Sequence, residues 1–419
     1  MAATARPAPR PLPLPWSPLL PRFTQYNSPD DPPRGLRGAR RLTLSPSPAR
    51  RRAGSLHLRC RLSDSASDPD PLRVAFACGG AGGHVYAAIA LADELHASLP
   101  SSASLFLGAP PPSLESDAAA SAPYPFAPIP RCLPHAVLDA ALHLRRFRPH
   151  VLVATGGAPA LPACLAALLL GVPFVIQDQD AGPAPATRLL APLARRIFLG
   201  FNAPCAVYGN PVRMSIRKCR ISKADAMASF FPRIGTVGEE GVEVLLVLGG
   251  TEGSPEINVA LLNMYYEMLR ERRNRYIIWQ TGPEGFCEME SLVRSHRRLL
   301  LTPFLHELDK AYAAADVVVS RAGSMSCTEV LVTGKPSILI PLPTMVDDHQ
   351  TKNAYIMADV MGAKVITEDE LDSSSLRSII DEVFGDEKLM SDMSQKALSA
   401  ARPNASTDII RHICSLGHV

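Results

Sequence analysis

Short apolar runs rich in β-branched residues alternate along this chain with longer stretches whose apolar positions recur at helical spacing. That is the pattern of strands buried on both faces and of the helices covering them. In the first half, Arg73 to Cys78, His150 to Thr155 and Val172 to Ile176 read as strands, and Val85 to Leu99 as a helix. Leu161 to Leu170 is apolar all round, which predicts a buried helix that Gly171 stops. In the second half, Glu243 to Leu248, Tyr276 to Gln280, Asp316 to Ser320 and Ser337 to Ile340 read as strands, with helices over Pro255 to Arg270 and Glu307 to Ala314. Both halves open strand, Gly-Gly loop, helix, at Gly79-Gly80 and at Gly249-Gly250. The echo predicts an α/β protein of two Rossmann-like domains facing each other across a cleft, with ligands at the carboxyl ends of the strands. The expected bounds are 69–208 and 209–402, with Val207 to Arg213 as the linker and a final helix, 403–419, crossing back to brace the first domain.

Two stretches break the pattern. Leu105 to Arg131 is so rich in Pro, Ala and Ser that it reads as a poorly structured connection. Leu133 to Arg148 has helical spacing and ends in Arg145, Arg146 and Arg148, either a solvated face or a peripheral contact with an anionic membrane.

The candidate chemistry lies at the strand ends. Five small residues, Gly79 to Gly83, let the backbone come close to a ligand, and His84 follows them at the helix start. The spacing is not that of the dinucleotide fingerprint, and no acidic residue follows a second strand. From position alone His84 is equally a base or a helix-capping imidazole. Asp316 to Ser320 stops at Arg321-Ala322-Gly323-Ser324, and a helix beginning there leaves free N–H groups at Ser324, Met325 and Ser326 for a phosphate. Glu329 then falls in the second turn, where a carboxylate can accept both hydroxyls of a ribose, and the loop after Ile340 brings His349, Gln350 and Asn353 to the same end. Together these make a nucleotide-sugar pocket.

The ordered series D-V-V-V-x-R-x-G-(x)5-E, G-x-P and D-x-Q-x-x-N-A, with G-G-x-G-G-H in the first half and G-N-P-V-R between, resembles the MurG family over residues 73 to 419. Those enzymes move N-acetylglucosamine from its uridine diphosphate to a lipid-linked muramyl-pentapeptide diphosphate. The resemblance implies a GT-B fold and an inverting transfer, with UDP-GlcNAc as substrate, no cofactor and no metal. It implies that Gly80, Ala81, Gly82 and Gly83, with Gly156 and Gly157, face the acceptor diphosphate and that His84 is the general base. It places Arg213, Thr251, Ser324, Met325, Ser326, Glu329, Gln350 and Asn353 on the donor, and the backbone of Leu305 on the uracil edge. Where the family has H-E-Q-N this chain has Gln177-Asp178-Gln179-Asp180. Asp178 keeps a carboxylate one methylene shorter, expected to assist His84 or orient the acceptor. Asp180 replaces an amide near the diphosphate, which it would repel unless it points away or is neutralised. Two rivals share the fold: a plastid galactolipid synthase using diacylglycerol, and a nucleotide-sugar-binding scaffold without catalysis.

Charge adds a leader. The net charge of +3 hides 12 Arg and two acids in residues 1 to 63, a local +10, against 31 basic and 38 acidic residues after them, −7. An Arg-, Ser- and Pro-rich, acid-poor stretch of about 68 residues reads as a transit peptide. It directs the chain to a plastid, on the stromal side of the envelope or thylakoid membrane, rather than to a mitochondrion. Nucleic acid is not an expected partner. Nine scattered cysteines with no C-x-x-C pair suit a reducing compartment and no zinc site.

Overall fold

The computed structural model describes residues 71–80, 82–122, 124–201, 208–232, 241–343 and 348–417; the Arg-rich leader, Ala81 and part of the loop before Asp348 lie outside them. In the first lobe β1 (Arg73–Cys78), α1 (Gly82–Ser98), β2 (Ala103–Gly108), α2 (Leu114–Ser121), β3 (Phe126–Pro128) and α3 (Leu133–Phe147) follow in order. They continue with β4 (Val151–Gly156), α4 (Ala160–Leu169), β5 (Phe174–Asp178), α5 (Pro185–Leu190) and β6 (Arg196–Leu199). The short helices α6 (Met214–Arg217) and α7 (Lys223–Phe230) lead to β7 (Glu243–Leu248), α8 (Pro255–Leu262), α9 (Tyr265–Glu271), β8 (Arg275–Gln280) and α10 (Pro283–Leu292). Next come β9 (Leu299–Thr302), α11 (Leu308–Ala314), β10 (Val317–Arg321), α12 (Ser324–Thr333), β11 (Ser337–Ile340), α13 (His349–Met361) and β12 (Lys364–Val365). The chain closes with α14 (Ser373–Gly385), α15 (Glu387–Ala400) and α16 (Ala405–Gly417).

The strands form two parallel sheets of six, ordered β3-β2-β1-β4-β5-β6 and β12-β11-β10-β7-β8-β9. Counted from its own first strand, each sheet has the order 3-2-1-4-5-6, so the echo in the sequence is a repeated topology. Crossovers leave in opposite directions between β1 and β4, and again between β7 and β10, which opens a crevice at each carboxyl edge. Alternation along β1 sorts the cores. Val74, Phe76 and Cys78 pack with α1, while Ala75 and Ala77 pack with α3 and α4 on the other face.

α16 returns to the first lobe, where Ile409, Ile410 and Ile413 are buried with Val74 and Leu91. Its Thr407 hydroxyl donates to Glu94 of α1 at 2.7 Å, and Arg217 of α6 pairs with the same carboxylate.

Three expectations change. The stretch 105–131 is ordered: it carries β2, α2 and β3. Phe106 is sandwiched between Phe76 and Tyr124 with ring centroids 5.2 Å apart on each side, and Ser113 and Ser116 close a capping box on α2. Tertiary packing of these few aromatics outweighs the local Pro and Ser content. α4 is not buried throughout, because Leu168, Leu169 and Leu170 at its end face solvent. The helix expected over Pro255 to Arg270 breaks into α8 and α9 at Asn263.

Candidate functional site

β1, β4 and β5 are neighbours in the sheet, so their terminal loops meet at one edge. After β1 the chain turns through Gly79 and Gly80, the latter at φ +81°. After β4 it turns through Gly156 and Gly157 at φ +115° and +83°. The second pair is held to glycine by what lies against it: a methyl on Gly156 would enter the His84 ring, and one on Gly157 would overlap the Gly79 carbonyl. His84 is therefore seated on bare backbone. Its Nδ1 lies 2.7 Å from the Thr155 carbonyl oxygen. A carbonyl can only accept, so Nδ1 carries the hydrogen and Nε2 is left as the basic nitrogen. Thr155 returns a bond from its hydroxyl to the His84 carbonyl at 2.8 Å, and the Gln179 amide donates to the Thr155 carbonyl at 3.1 Å.

The second lobe comes against this loop. A methyl on Gly82 would overlap Thr251 Oγ1, and one on Gly83 would touch Gln179, Met325 and, at 4.0 Å, Ser324 Oγ. The glycine loop beside the histidine thus abuts the Gly-Gly-Thr loop and the start of α12. α12 begins at Ser324 with no side chain capping it, so its first amides, at Ser324, Met325 and Ser326, keep their positive end for an anion.

Glu329 sits in the second turn of α12, buried, accepting from the Tyr312 hydroxyl at 3.2 Å and from Arg213 at 3.4 Å. Burial raises its pKa, and Arg213 and Tyr312 counter only part of that. The Arg213 guanidinium also lies 4.7 Å from the centre of the Tyr86 ring, two residues beyond His84, and its buried Nε has no partner. Tyr86, Leu114, Arg213, Thr251, Phe304 and His306 line a cavity of about 390 Å3 between the lobes. Phe304 and His306 flank Leu305, whose side chain is in the core and whose amide donates to Gln280 at 3.1 Å. Gln350 accepts the Leu342 amide at 3.1 Å and so holds the strand end after β11.

Two residues expected in the site are turned elsewhere. Asp178 Oδ2 accepts the Ala184 amide at 3.1 Å, and the carboxylate also bonds Thr187; burial raises its pKa. In an extended segment neighbours alternate, so Gln177 and Gln179 reach toward Asn210 and Thr155 while Asp178 faces its own loop. It shapes that loop, and neither of these bonds is to His84. Asn353 has no exposed surface. Its Oδ1 accepts the Ala181 amide at 3.0 Å, and its Nδ2 donates to Asp180 at 3.2 Å and to the Ala322 carbonyl at 3.1 Å. Two of these bonds cross to the first lobe and the third holds its own, so its polar groups are committed to the joint between the lobes. The same bond shows which way Asp180 turns: toward Asn353 of the opposite lobe. Ala81 lies outside the described residues.

The reading of the sequence missed Thr155 and Asn210. Thr155 acts through its carbonyl, which no side-chain motif announces. Asn210 is buried, accepts from Gln177 at 2.9 Å and donates to the Gln179 carbonyl and to Thr328, both at 3.0 Å. Its signal was present in G-N-P-V-R, where an amide before a proline at a domain junction invites an interlobe role.

Two family models match the chain: the glycosyltransferase family 28 N-terminal domain over residues 74–199 and the C-terminal domain of that family over residues 244–409. Curated relatives named UDP-N-acetylglucosamine--N-acetylmuramyl-(pentapeptide) pyrophosphoryl-undecaprenol N-acetylglucosamine transferase include that of Salinibacter ruber. It is 35% identical, with 81% of this chain and 95% of the relative covered. The Chlorobium limicola relative is 31% identical, with 82% and 99% covered. Among solved structures, Acinetobacter baumannii MurG superposes with a TM-score of 0.65 at 24% identity, covering 82% of this chain and all of that one. S. aureus MnaA in complex with UDP superposes at 0.57 and 15% identity, covering 82% and 96%.

Proposed function

The chain belongs to the MurG family of glycosyltransferases, within glycosyltransferase family 28, and from that premise we propose that it moves N-acetylglucosamine from UDP-GlcNAc to a lipid-linked muramyl-pentapeptide diphosphate. The observation that carries the reading is the junction of the two lobes. A histidine of fixed tautomer stands beside a glycine loop that touches both Thr251 and the open start of α12. A base and an anion site are thereby brought to one cleft, as a displacement of a nucleoside diphosphate by an alcohol requires.

The acceptor hydroxyl gives its proton to His84 Nε2 while its oxygen bonds to the anomeric carbon from the face opposite the leaving group. The bond from that carbon to the β-phosphate oxygen breaks, UDP departs and the configuration inverts. Negative charge grows on the diphosphate as it leaves, and the α12 amides with the Thr251 hydroxyl are placed to stabilise it without a metal. Glu329 takes the ribose diol once the Arg213 guanidinium moves off its carboxylate, and the unpartnered Arg213 Nε gains an anionic partner in doing so.

The acceptor is lipid-linked, so the first lobe works at a membrane surface. Supporting this, Leu133, Leu138 and Leu142 of α3 and Leu168 to Leu170 at the end of α4 are all exposed. Between them Arg145, Arg146 and Arg148 line an open cavity of about 650 Å3. Apolar side chains beside cations suit an anionic lipid surface, and no helix among the described residues is long and apolar enough to cross a membrane. The leader's composition, ahead of a family match that begins at residue 74, supports plastid import and a site on the stromal side of the envelope or thylakoid.

The test incubates residues 69–419 with labelled UDP-GlcNAc and the muramyl lipid, and in parallel with UDP-galactose and diacylglycerol. Label entering lipid only in the first reaction is the expected result. Label entering diacylglycerol, or donor binding with no transfer to either, would overturn it.

A further inference from the structure

Glu115 lies in the first turn of α2, in the segment whose composition suggested no structure, and it is buried with 4% of its surface exposed. A carboxylate is favoured there by the free amides at the helix start, but its Oε1 does not cap α2: it accepts the Gly80 amide at 2.6 Å, 35 residues away. No ion pair of Glu115 is found among the described residues, so the charged side chain is committed to a glycine-loop amide.

The packing around it is close on every side. A methyl on Gly79 would overlap Glu115 Oε1, and one on Gly108 at the end of β2 would lie 2.9 Å from Glu115 Cβ. The carboxylate is wedged between the β1 loop and the β2 terminus. From the opposite side Gly157 presses on the Gly79 carbonyl, and at its far end the loop meets Thr251 through Gly82.

We propose that Glu115 is a positioning residue for the acceptor: its carboxylate fixes the Gly79–Gly83 loop, and through it His84, in register with the donor lobe. This rests on the reading that the loop faces the acceptor diphosphate. A glycine loop has little preference of its own at φ +81°, and a charge-assisted bond from its amide to the buried Glu115 carboxylate supplies the constraint that side chains cannot. Without the carboxylate that amide loses its protein partner and the loop relaxes away from Glu115.

Glu115→Met keeps the volume and removes the acceptor oxygen; Glu115→Gln keeps an oxygen. The expected result for Glu115→Met is a fall of about tenfold or more in kcat/KM for the muramyl lipid. UDP-GlcNAc affinity stays within about twofold and amide hydrogen exchange of the Gly79–Gly83 loop speeds up, while Glu115→Gln recovers most of the loss. Wild-type acceptor kinetics in Glu115→Met, an equal loss of donor affinity, or no recovery in Glu115→Gln would overturn the assignment. If Glu115→Met does not fold, Glu115→Asp, too short to reach Gly80, takes its place. Should the wild-type protein transfer no sugar, the functional reading has failed on its own, and the exchange rates alone decide whether Glu115 holds the loop.

Discussion

The His84 imidazole is positioned by groups that do not themselves react. Its Nδ1 hydrogen is given to the Thr155 carbonyl, a partner that cannot reverse the bond, so in the neutral ring it is Nε2 that is left as the base. His84→Ala removes the proton acceptor and nothing that touches the donor. Turnover should fall by a factor on the order of 10²–10⁴ while the Kd for UDP-GlcNAc, read by calorimetry, stays near wild type. Loss of donor affinity in step with turnover would move His84 out of the base role. Asp178 calls for the opposite experiment. Burial raises its pKa, so the folded protein holds this proton to a higher pH than the unfolded chain does. Below the ordinary carboxylate range the folded and unfolded states are both protonated and burial costs nothing. As pH rises the unfolded chain ionises first, and stability is lost progressively until pH passes the raised folded value. Asp178→Asn lacks that loss and still offers an oxygen to the Ala184 amide. Its Tm should gain on wild type as pH rises from about 4 to 7, with kcat little changed. A gain that shrinks with pH, or a collapse of kcat, would restore Asp178 to the chemistry.

Between elements, the decisive joint is the β5 loop against α13. Asn353 donates to Asp180 and to Ala322 and accepts from Ala181, which makes one amide the meeting point of both lobes. Asp180→Asn leaves an oxygen for Asn353, and activity should change by no more than a few-fold. Asn353→Ala strands the Ala181 amide and the Asp180 carboxylate together. It should cost about 1–3 kcal/mol in unfolding free energy, read by urea titration, and lower kcat. A stable, fully active Asn353→Ala would show the tie to be idle. The same joint shows what could be read from the chain alone. Continuous apolar runs placed β1, β4, β7, β10 and β11 to within a residue or two, because parallel strands are apolar throughout, and an abrupt glycine placed the start of α12. Asp178 was assigned through the family resemblance and Asn353 because an amide suits sugar hydroxyls, and neither ground says which way a side chain faces. Which way they face depends on strand alternation and on a partner lobe more than a hundred residues away. α2 escaped notice because the segment is held by Phe76 of β1 and Phe106 of β2 stacking with Tyr124 in the loop after the helix, not by its own Pro- and Ser-rich surroundings.

For the whole molecule, the proposed lipid-linked acceptor sets a further demand, and the face made by α3 and the end of α4 answers it with apolar exposure beside clustered positive charge. On α3 the buried positions are Ala136, Ala140 and Leu144, which leaves Leu138 and Leu142 facing out. Arg145, Arg146 and Arg148 follow at the helix end, and the exposed leucines of α4 stand beside them. Removing two leucines from water is worth about 1.5–3 kcal/mol each, and each arginine near an anionic surface adds about 1 kcal/mol. The patch alone therefore supplies enough for reversible attachment. Replacing Arg145 and Arg146 with Glu, and separately Leu138 and Leu142 with Gln, should each reduce co-sedimentation with vesicles containing anionic lipid by an order of magnitude. The first effect should fade as salt rises and the second should not, since only the charge term is screened. Turnover of acceptor presented in detergent should stay at the wild-type level for both, because neither pair of residues reaches the cleft. Equal vesicle binding by wild type and both variants would overturn the assignment of a membrane contact to this face.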